Sequence, residues 1–196
     1  MRRVFCFGDS NVYGFDPRSY FGGRYDRDTR WTALLRRYGW EAINAGENGL
    51  QIPAADWEFW EIRRAVMASL PLDAILVMLG GNDLLCHPSF TAEDVSARMD
   101  RFLGSLLRED LIGRIPLLLI SPPAMVPGAW ITEDRLLTES ARFASCYRCV
   151  ADRHGVGFTD ASGWNVDLTF DGVHFSPEGH RIFASRIAEH LDRAVN

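Results

Sequence analysis

The chain has 196 residues, of which 47% are hydrophobic and 24% charged, and this composition predicts one globular domain with a full-sized core. Its formal net charge of −5 disfavours a nucleic-acid partner, because polyanion binding requires a clustered basic surface. No apolar run approaches the ~20 residues that span a bilayer, and the apolar stretch near the N-terminus is too short for a signal peptide. We therefore expect a cytoplasmic protein with no membrane partner.

Short apolar segments predict five β-strands. They lie at residues 4–7, 41–44, 74–79, 116–120 and 156–159. The third and fourth segments are continuously apolar, as expected for strands of a parallel sheet that is covered on both faces.

Helical patterns separate these strands. The predicted helices cover residues 30–38, about 53–70, a segment that begins at 91, about 132–154, and a last segment that begins at 176. In the second helix, the predicted apolar stripe consists of Trp57, Trp60, Val66, Met67 and Leu70. Thr91 begins a segment that resembles a capping box, and Ser176 followed by Pro177 is typical of a helix start.

Strands that alternate with helices predict a parallel sheet with helices on both faces. The sequence contains no internal repeat, low-complexity segment or linker, so we expect a single domain over residues 1–196. The predicted fold is a flavodoxin-like, three-layer α/β/α sandwich with a five-stranded sheet. Ligands of such sheets bind beyond the carboxyl ends of the strands. Unusual polar segments stand at four such positions, namely residues 8–11, 44–49, 80–83 and 171–174.

These four segments resemble the sequence blocks of the SGNH (GDSL-type) hydrolase family. Gly-Asp-Ser at residues 8–10 matches the nucleophile block, and residues 44–49 match the glycine block. Gly-Gly-Asn-Asp at residues 80–83 matches the asparagine block, and Asp-Gly-Val-His at residues 171–174 matches the histidine block. The blocks occur in family order over nearly the whole chain. Asn11 stands where the name-giving pattern has leucine, at a position that tolerates variation in the family.

The resemblance implies an ester hydrolase that needs no cofactor or metal and acts on a small-molecule ester. Ser10 would be the nucleophile, His174 the base that takes its proton, and Asp171 the group that orients the imidazole. By the same resemblance, the oxyanion would be held by the backbone N–H groups of Ser10 and Gly49 and by the side-chain amide of Asn82.

The substrate is less well specified by the sequence. Tyr13 and Trp130 are candidate substrate-binding residues, and residues 28–32 resemble the arylesterase-type branch, which favours short-chain acyl or acetyl esters. A lysophospholipase or an acyl-thioester hydrolase with the same triad is an alternative, as is acyl transfer to an alcohol. A non-catalytic flavodoxin-like binding module would have no need of Asp171 or His174. The oligomeric state stays open and includes a homo-oligomer.

Three further features favour structural roles. The C-x-x-C pattern at residues 146–149 has no second such pair and no strand-to-helix turn, so helix thiols are a better interpretation than a redox or metal site. Asp9 and Asp83 are expected to brace the loops of their blocks. The arginine pairs at residues 36–37 and 63–64 are interpreted as solvated helix faces.

Overall fold

One parallel sheet organises the chain in the computed structural model, which describes residues 1–19 and 21–195. Its strands are β1 (Arg2–Gly8), β2 (Trp40–Gly46), β3 (Ala74–Met78), β4 (Leu117–Ser121) and β5 (Gly157–Asp160). All neighbours pair in parallel, in the order β2-β1-β3-β4-β5. This doubly wound order confirms the predicted flavodoxin-like α/β fold.

Helices follow the strands along the chain. They are α1 (Ser10–Tyr13), α2 (Trp31–Leu34), α3 (Asp56–Ala68), α4 (Gly81–Cys86), α5 (Ala92–Leu106), α6 (Asp110–Gly113), α7 (Asp134–His154) and α8 (Pro177–Ala194). Two short 3₁₀ helices cover Leu35–Tyr38 and Ser162–Trp164. Within residues 1–19 and 21–195, no helix is both long and apolar enough to cross a bilayer.

Two hydrophobic clusters cover the two faces of the sheet. Phe5 and Phe7 of β1 point into a cluster that includes side chains of α3, α5 and α7. Val4 and Cys6 point the other way, into a cluster with α2 and α8. Because successive side chains of a strand face opposite sides, a strand buried on both sides must be apolar throughout. This double burial explains the continuously apolar strand segments.

The caps of α5 and α8 agree with the sequence prediction. Thr91 accepts a hydrogen bond from the backbone N–H of Asp94, and the Asp94 carboxylate in turn accepts one from the backbone N–H of Thr91. Ser176 accepts a hydrogen bond from the backbone N–H of Gly179, with Pro177 in the first turn. Each cap satisfies backbone donors that a helix start leaves without partners.

The start of α3 differs from the prediction, which placed it at Pro53. The helix begins at Asp56, because the Glu58 carboxylate accepts hydrogen bonds of 2.8 Å from the backbone N–H groups of both Ala54 and Ala55. These bonds fix the segment before the helix in a non-helical conformation, so that Pro53 stays outside the helix.

The predicted apolar face of α3 was wrong at its two tryptophans, whereas Val66 and Met67 contact the core as predicted. Trp57 and Trp60 are 69% and 54% exposed. In place of the tryptophans, Phe59 and Ile62 contact the core together with Val66, and these three residues recur at spacings of three and four. The two tryptophans were predicted to be buried because they are large and apolar, but they lie on the solvent side of the helix.

Candidate active site

Ser10 lies where the chain leaves β1 and enters α1. The preceding residue, Asp9, caps this short helix, and its carboxylate accepts a hydrogen bond of 2.9 Å from the backbone N–H of Asn11. Ser10 is only 7% exposed, and its Oγ lies 2.9 Å from Nε2 of His174. The first and the last of the four sequence blocks are therefore in direct contact.

His174 and Asp171 share a hairpin between β5 and α8. An antiparallel bridge between Leu168 and Phe175 closes the hairpin, and Nδ1 of His174 lies 2.7 Å from Oδ2 of Asp171. An unbroken line of hydrogen bonds therefore runs from the Ser10 hydroxyl through the imidazole to a carboxylate.

The Asp171 carboxylate is fully buried, yet it stays ionised because its surroundings donate to it. Its Oδ1 accepts hydrogen bonds from the Thr169 hydroxyl at 2.9 Å, from Val173 N at 2.9 Å and from His174 N at 3.0 Å. Burial by itself raises its pKa, but the bonds from His174 and Val173 outweigh that effect and lower the pKa to about 2. The sequence analysis did not single out Thr169, because it precedes the recognised block.

The second and third blocks meet beside β1. The side-chain amide of Asn82 donates to the backbone oxygen of Leu50 at 3.0 Å, and the backbone N–H of Glu47 donates to the oxygen of Gly8 at 3.0 Å. Gly49 has a φ of +73°, a conformation that favours glycine. The loop that carries Gly49 is thus fastened to β1 on one side and to Asn82 on the other.

Gly46 is required for a different reason. A Cβ at this position would lie 2.2 Å from the backbone nitrogen of Tyr13. The end of β2 can therefore approach α1 closely only because residue 46 has no side chain.

Asp83 braces the third block, as the sequence analysis expected. Its carboxylate is fully buried, accepts a hydrogen bond of 3.0 Å from the backbone N–H of Ile52, and forms an ion pair of 3.0 Å with Arg98. Burial raises the pKa of Asp83, and the bond from Ile52 and the charge of Arg98 oppose that rise. Asp83 therefore anchors the chain that follows the Gly49 loop.

Two aromatic rings flank His174. The ring of Phe15 lies 4.8 Å from the imidazole between centroids, and Trp130 meets it edge-on at 5.1 Å while staying 52% exposed. The structure thus brings Trp130 to the site, whereas the Tyr13 ring packs against the Arg24 guanidinium at 4.5 Å. The sequence analysis missed Phe15. Its position in the loop after the first block, two residues beyond the candidate Tyr13, could have suggested a place near the site. A substrate contact by Tyr13 stays a prediction.

Asn11 joins the first and fourth blocks. Its amide nitrogen donates to the backbone oxygen of Val173 at 3.1 Å, and its amide oxygen accepts from the backbone N–H of Phe175 at 2.9 Å. The residue that departs from the family's name-giving pattern therefore holds the His174 hairpin against the Ser10 turn.

The C-x-x-C pair lies on α7, where Cys146 is half-buried and Cys149 is exposed. Across residues 1–19 and 21–195, no group of three or more His, Cys, Asp or Glu side chains is arranged to hold a metal ion.

We predict that Asn11→Ala lowers the free energy of unfolding by about 2 kcal/mol, since it leaves the buried N–H of Phe175 and the part-buried carbonyl of Val173 without their partner. Asn11→Leu restores side-chain volume without the hydrogen bonds and should be similarly destabilised. Urea denaturation of both variants and the wild type measures the effect. Wild-type stability in either variant would contradict this account of Asn11.

Asp9 predicts a pH-dependent stability. Burial raises its pKa from 3.8 to about 6, although the N–H of Asn11 and the charge of His174 oppose the rise. Because the folded state favours the protonated acid, the ionisation of Asp9 lowers the free energy of unfolding as the pH rises through about 4 to 6. Asp9→Asn should therefore gain up to about 3 kcal/mol relative to wild type between about pH 4 and pH 7. Urea denaturation across this range tests it, and a pH-independent difference would contradict it.

Solved structures that share this architecture include three described as esterases. An aryl esterase from M. smegmatis has a TM-score of 0.86 and 24% identity, covering 99% of this chain and 100% of its own. A putative arylesterase from Agrobacterium tumefaciens has a TM-score of 0.85 and 25% identity over 99% of this chain and 100% of its own. A carbohydrate acetylesterase from Sinorhizobium meliloti has a TM-score of 0.83 and 23% identity over 98% of this chain and 99% of its own. No curated protein matches the chain.

Sequence comparison assigns the family. The sequence model of the GDSL-like lipase/acylhydrolase family matches residues 6–182, a span that contains all four blocks and the line of hydrogen bonds from Ser10 to Asp171. The chain therefore belongs to the GDSL-like lipase/acylhydrolase family of SGNH hydrolases and is a carboxylic ester hydrolase.

Proposed function

We propose that the enzyme cleaves short-chain acyl esters through an acyl-serine intermediate, with Ser10, His174 and Asp171 as its catalytic triad. The observation that carries this proposal is the line of hydrogen bonds between these three side chains. It measures 2.9 Å from Ser10 Oγ to His174 Nε2 and 2.7 Å from His174 Nδ1 to Asp171 Oδ2.

The arrangement suits general-base catalysis. Asp171 is ionised and can only accept, so it retains the proton of His174 on Nδ1 and leaves the Nε2 lone pair directed at Ser10. When Oγ attacks the ester carbonyl, Nε2 takes the hydroxyl proton. The imidazolium that forms lies against the Asp171 carboxylate, which stabilises its charge.

The intermediate needs hydrogen-bond donors for its negatively charged oxygen. In the proposal these are the backbone N–H groups of Ser10 and Gly49 and the side-chain amide of Asn82. One amide hydrogen of Asn82 is held by Leu50, which fixes the side chain and leaves its second hydrogen for the oxyanion. Donors that are fixed before the reaction stabilise the developing charge without reorganisation.

Collapse of the intermediate completes the acylation. The carbonyl re-forms, the bond to the leaving alkoxide breaks, and His174 returns its proton to the alcohol. A water molecule then repeats the sequence: His174 takes its proton, its oxygen attacks the acyl carbon, and the bond to Ser10 Oγ breaks. Serine recovers its proton and the carboxylic acid is released, so the cycle consumes one ester and one water.

Two observations support small acyl groups and compact alcohols. The solved structures with the same architecture include arylesterases and a carbohydrate acetylesterase. In this chain, Phe15 and the half-exposed Trp130 flank the imidazole. Aromatic faces of this kind suit a planar aryl group or the apolar face of a sugar ring.

A ladder of p-nitrophenyl esters from acetate to a long acyl chain tests the proposal. We expect the highest kcat/KM for the short esters, and we expect Ser10→Ala to lower kcat at least about 10³-fold, since the nucleophile is lost. His174→Ala should behave similarly while both variants keep the wild-type circular dichroism spectrum.

Two matched variants on α7 serve as controls. Ser145→Ala removes an exposed hydroxyl away from the site, and Cys146→Ser removes a half-buried thiol, so both should retain wild-type turnover. Equal hydrolysis by Ser10→Ala and the wild type would overturn the proposal. An optimum at long acyl chains would instead favour the lysophospholipase alternative.

A further inference from the structure

A concave region separate from the candidate active site lies along β2, the edge strand next to β1. It is a cavity of about 460 Å³, bordered by β2 and by the segment between α1 and β2. Four arginines line it: Arg24, Arg27, Arg30 and Arg36. Its described lining contains one acidic side chain, Glu41, which is mostly exposed and lies 3.7 Å from Arg3. The cavity lining includes none of the triad residues.

Among the residues that the structure describes, none of the cavity's four arginines forms an ion pair with a carboxylate. Arg24 donates to the backbone oxygen of Tyr13. Arg30 packs its aliphatic stem close to Gly14, and its Nε is buried without a hydrogen-bond acceptor. A buried, charged donor without an acceptor is costly.

Their mutual repulsion adds to this cost. Burial lowers the pKa of Arg24, and the charge of Arg30 lowers it further. The pKa of Arg30 is lowered by burial and then by Arg27, whose repulsion exceeds the attraction of Asp26. Unpaired cations have therefore been brought together in a protein whose overall charge is −5.

We propose that this cavity binds a small phosphate-bearing ligand through Arg24, Arg27, Arg30 and Arg36. A guanidinium offers paired N–H donors that match phosphate oxygens, and several unpaired cations are best neutralised by a multivalent anion. The partly exposed side chains of Ala33 and Ala42 line the same cavity and can pack against the uncharged part of such a ligand. The volume is within the usual range for small-molecule sites.

The structure also separates two neighbouring arginines that the sequence analysis treated alike. Arg36 lines the cavity, whereas Arg37 is exposed and does not. This difference supplies a control that has the same charge and nearly the same position. The double variant Arg27→Gln/Arg36→Gln changes two exposed side chains, so the fold should be unaffected. Arg37→Gln/Arg101→Gln changes the net charge equally and leaves the lining intact.

Isothermal titration calorimetry with inorganic pyrophosphate tests the site at constant ionic strength, with sodium chloride as the blank. We expect the wild type and the Arg37→Gln/Arg101→Gln variant to bind with a Kd below about 1 mM. In Arg27→Gln/Arg36→Gln the Kd should rise about tenfold or more, because two charge-assisted contacts are lost. Since binding is measured without hydrolysis, the outcome is independent of the proposed triad.

A phosphate group could also be presented by a lipid headgroup. Co-sedimentation with phosphatidylcholine vesicles, with and without phosphatidic acid, separates the two sources. Pyrophosphate binding without vesicle binding would support a soluble ligand, and vesicle binding that the Arg27→Gln/Arg36→Gln variant loses would support the headgroup. Absence of both, or equal pyrophosphate binding by the two double variants, would overturn the proposal.

Discussion

Gly8, the last residue of β1, pairs with Gly46 of β2 on one side and with Met78 of β3 on the other. Three parallel strands therefore end at one level, and the order of the sheet reverses between β1 and β3. The loops that leave these strands are forced apart above and below the sheet, which opens a crevice at this edge. The first three blocks of the site depend on this register, because a slip of one residue would exchange the two faces of a strand.

Buried carboxylates around this edge show how the environment divides their roles. Asp171 accepts bonds from a hydroxyl, two backbone N–H groups and an imidazole, so burial does not neutralise it. Asp9 accepts one backbone bond and its pKa rises to about 6. The pKa of the same side chain is thus lowered at one position and raised at the other, because the number of donors differs. These surroundings give His174 an ionised partner in Asp171 and give the Ser10 turn a brace in Asp9.

The sequence predicted the parallel sheet and the four blocks because both leave local signals. Strands that are buried on both faces are continuously apolar. The site turns contain particular glycine, asparagine and histidine residues, and these form short motifs that follow one another in family order. The face of α3 was mispredicted at Trp57 and Trp60 because they are large apolar residues that nevertheless lie on the solvent side, whereas Val66 is buried as predicted.

Contacts between distant segments left no comparable signal. Phe15 lies near His174, and Asn11 forms two hydrogen bonds to the hairpin. Both contacts join residues that are some 160 positions apart in the sequence. The arginine cavity was equally hard to predict, because its arginines are spread over a loop and a short 3₁₀ helix and have ordinary neighbours in the sequence. Tertiary proximity alone distinguishes Arg36 from Arg37.

The central claim is that Ser10 is activated by His174, and covalent labelling tests it directly. The protein would be incubated with a p-nitrophenyl alkylphosphonate, digested, and analysed by peptide mass spectrometry. The account predicts a single phosphonyl adduct on Ser10 that forms rapidly in the wild type and is lost in His174→Ala. An adduct on another residue, or equally fast labelling of Ser10 without His174, would contradict it.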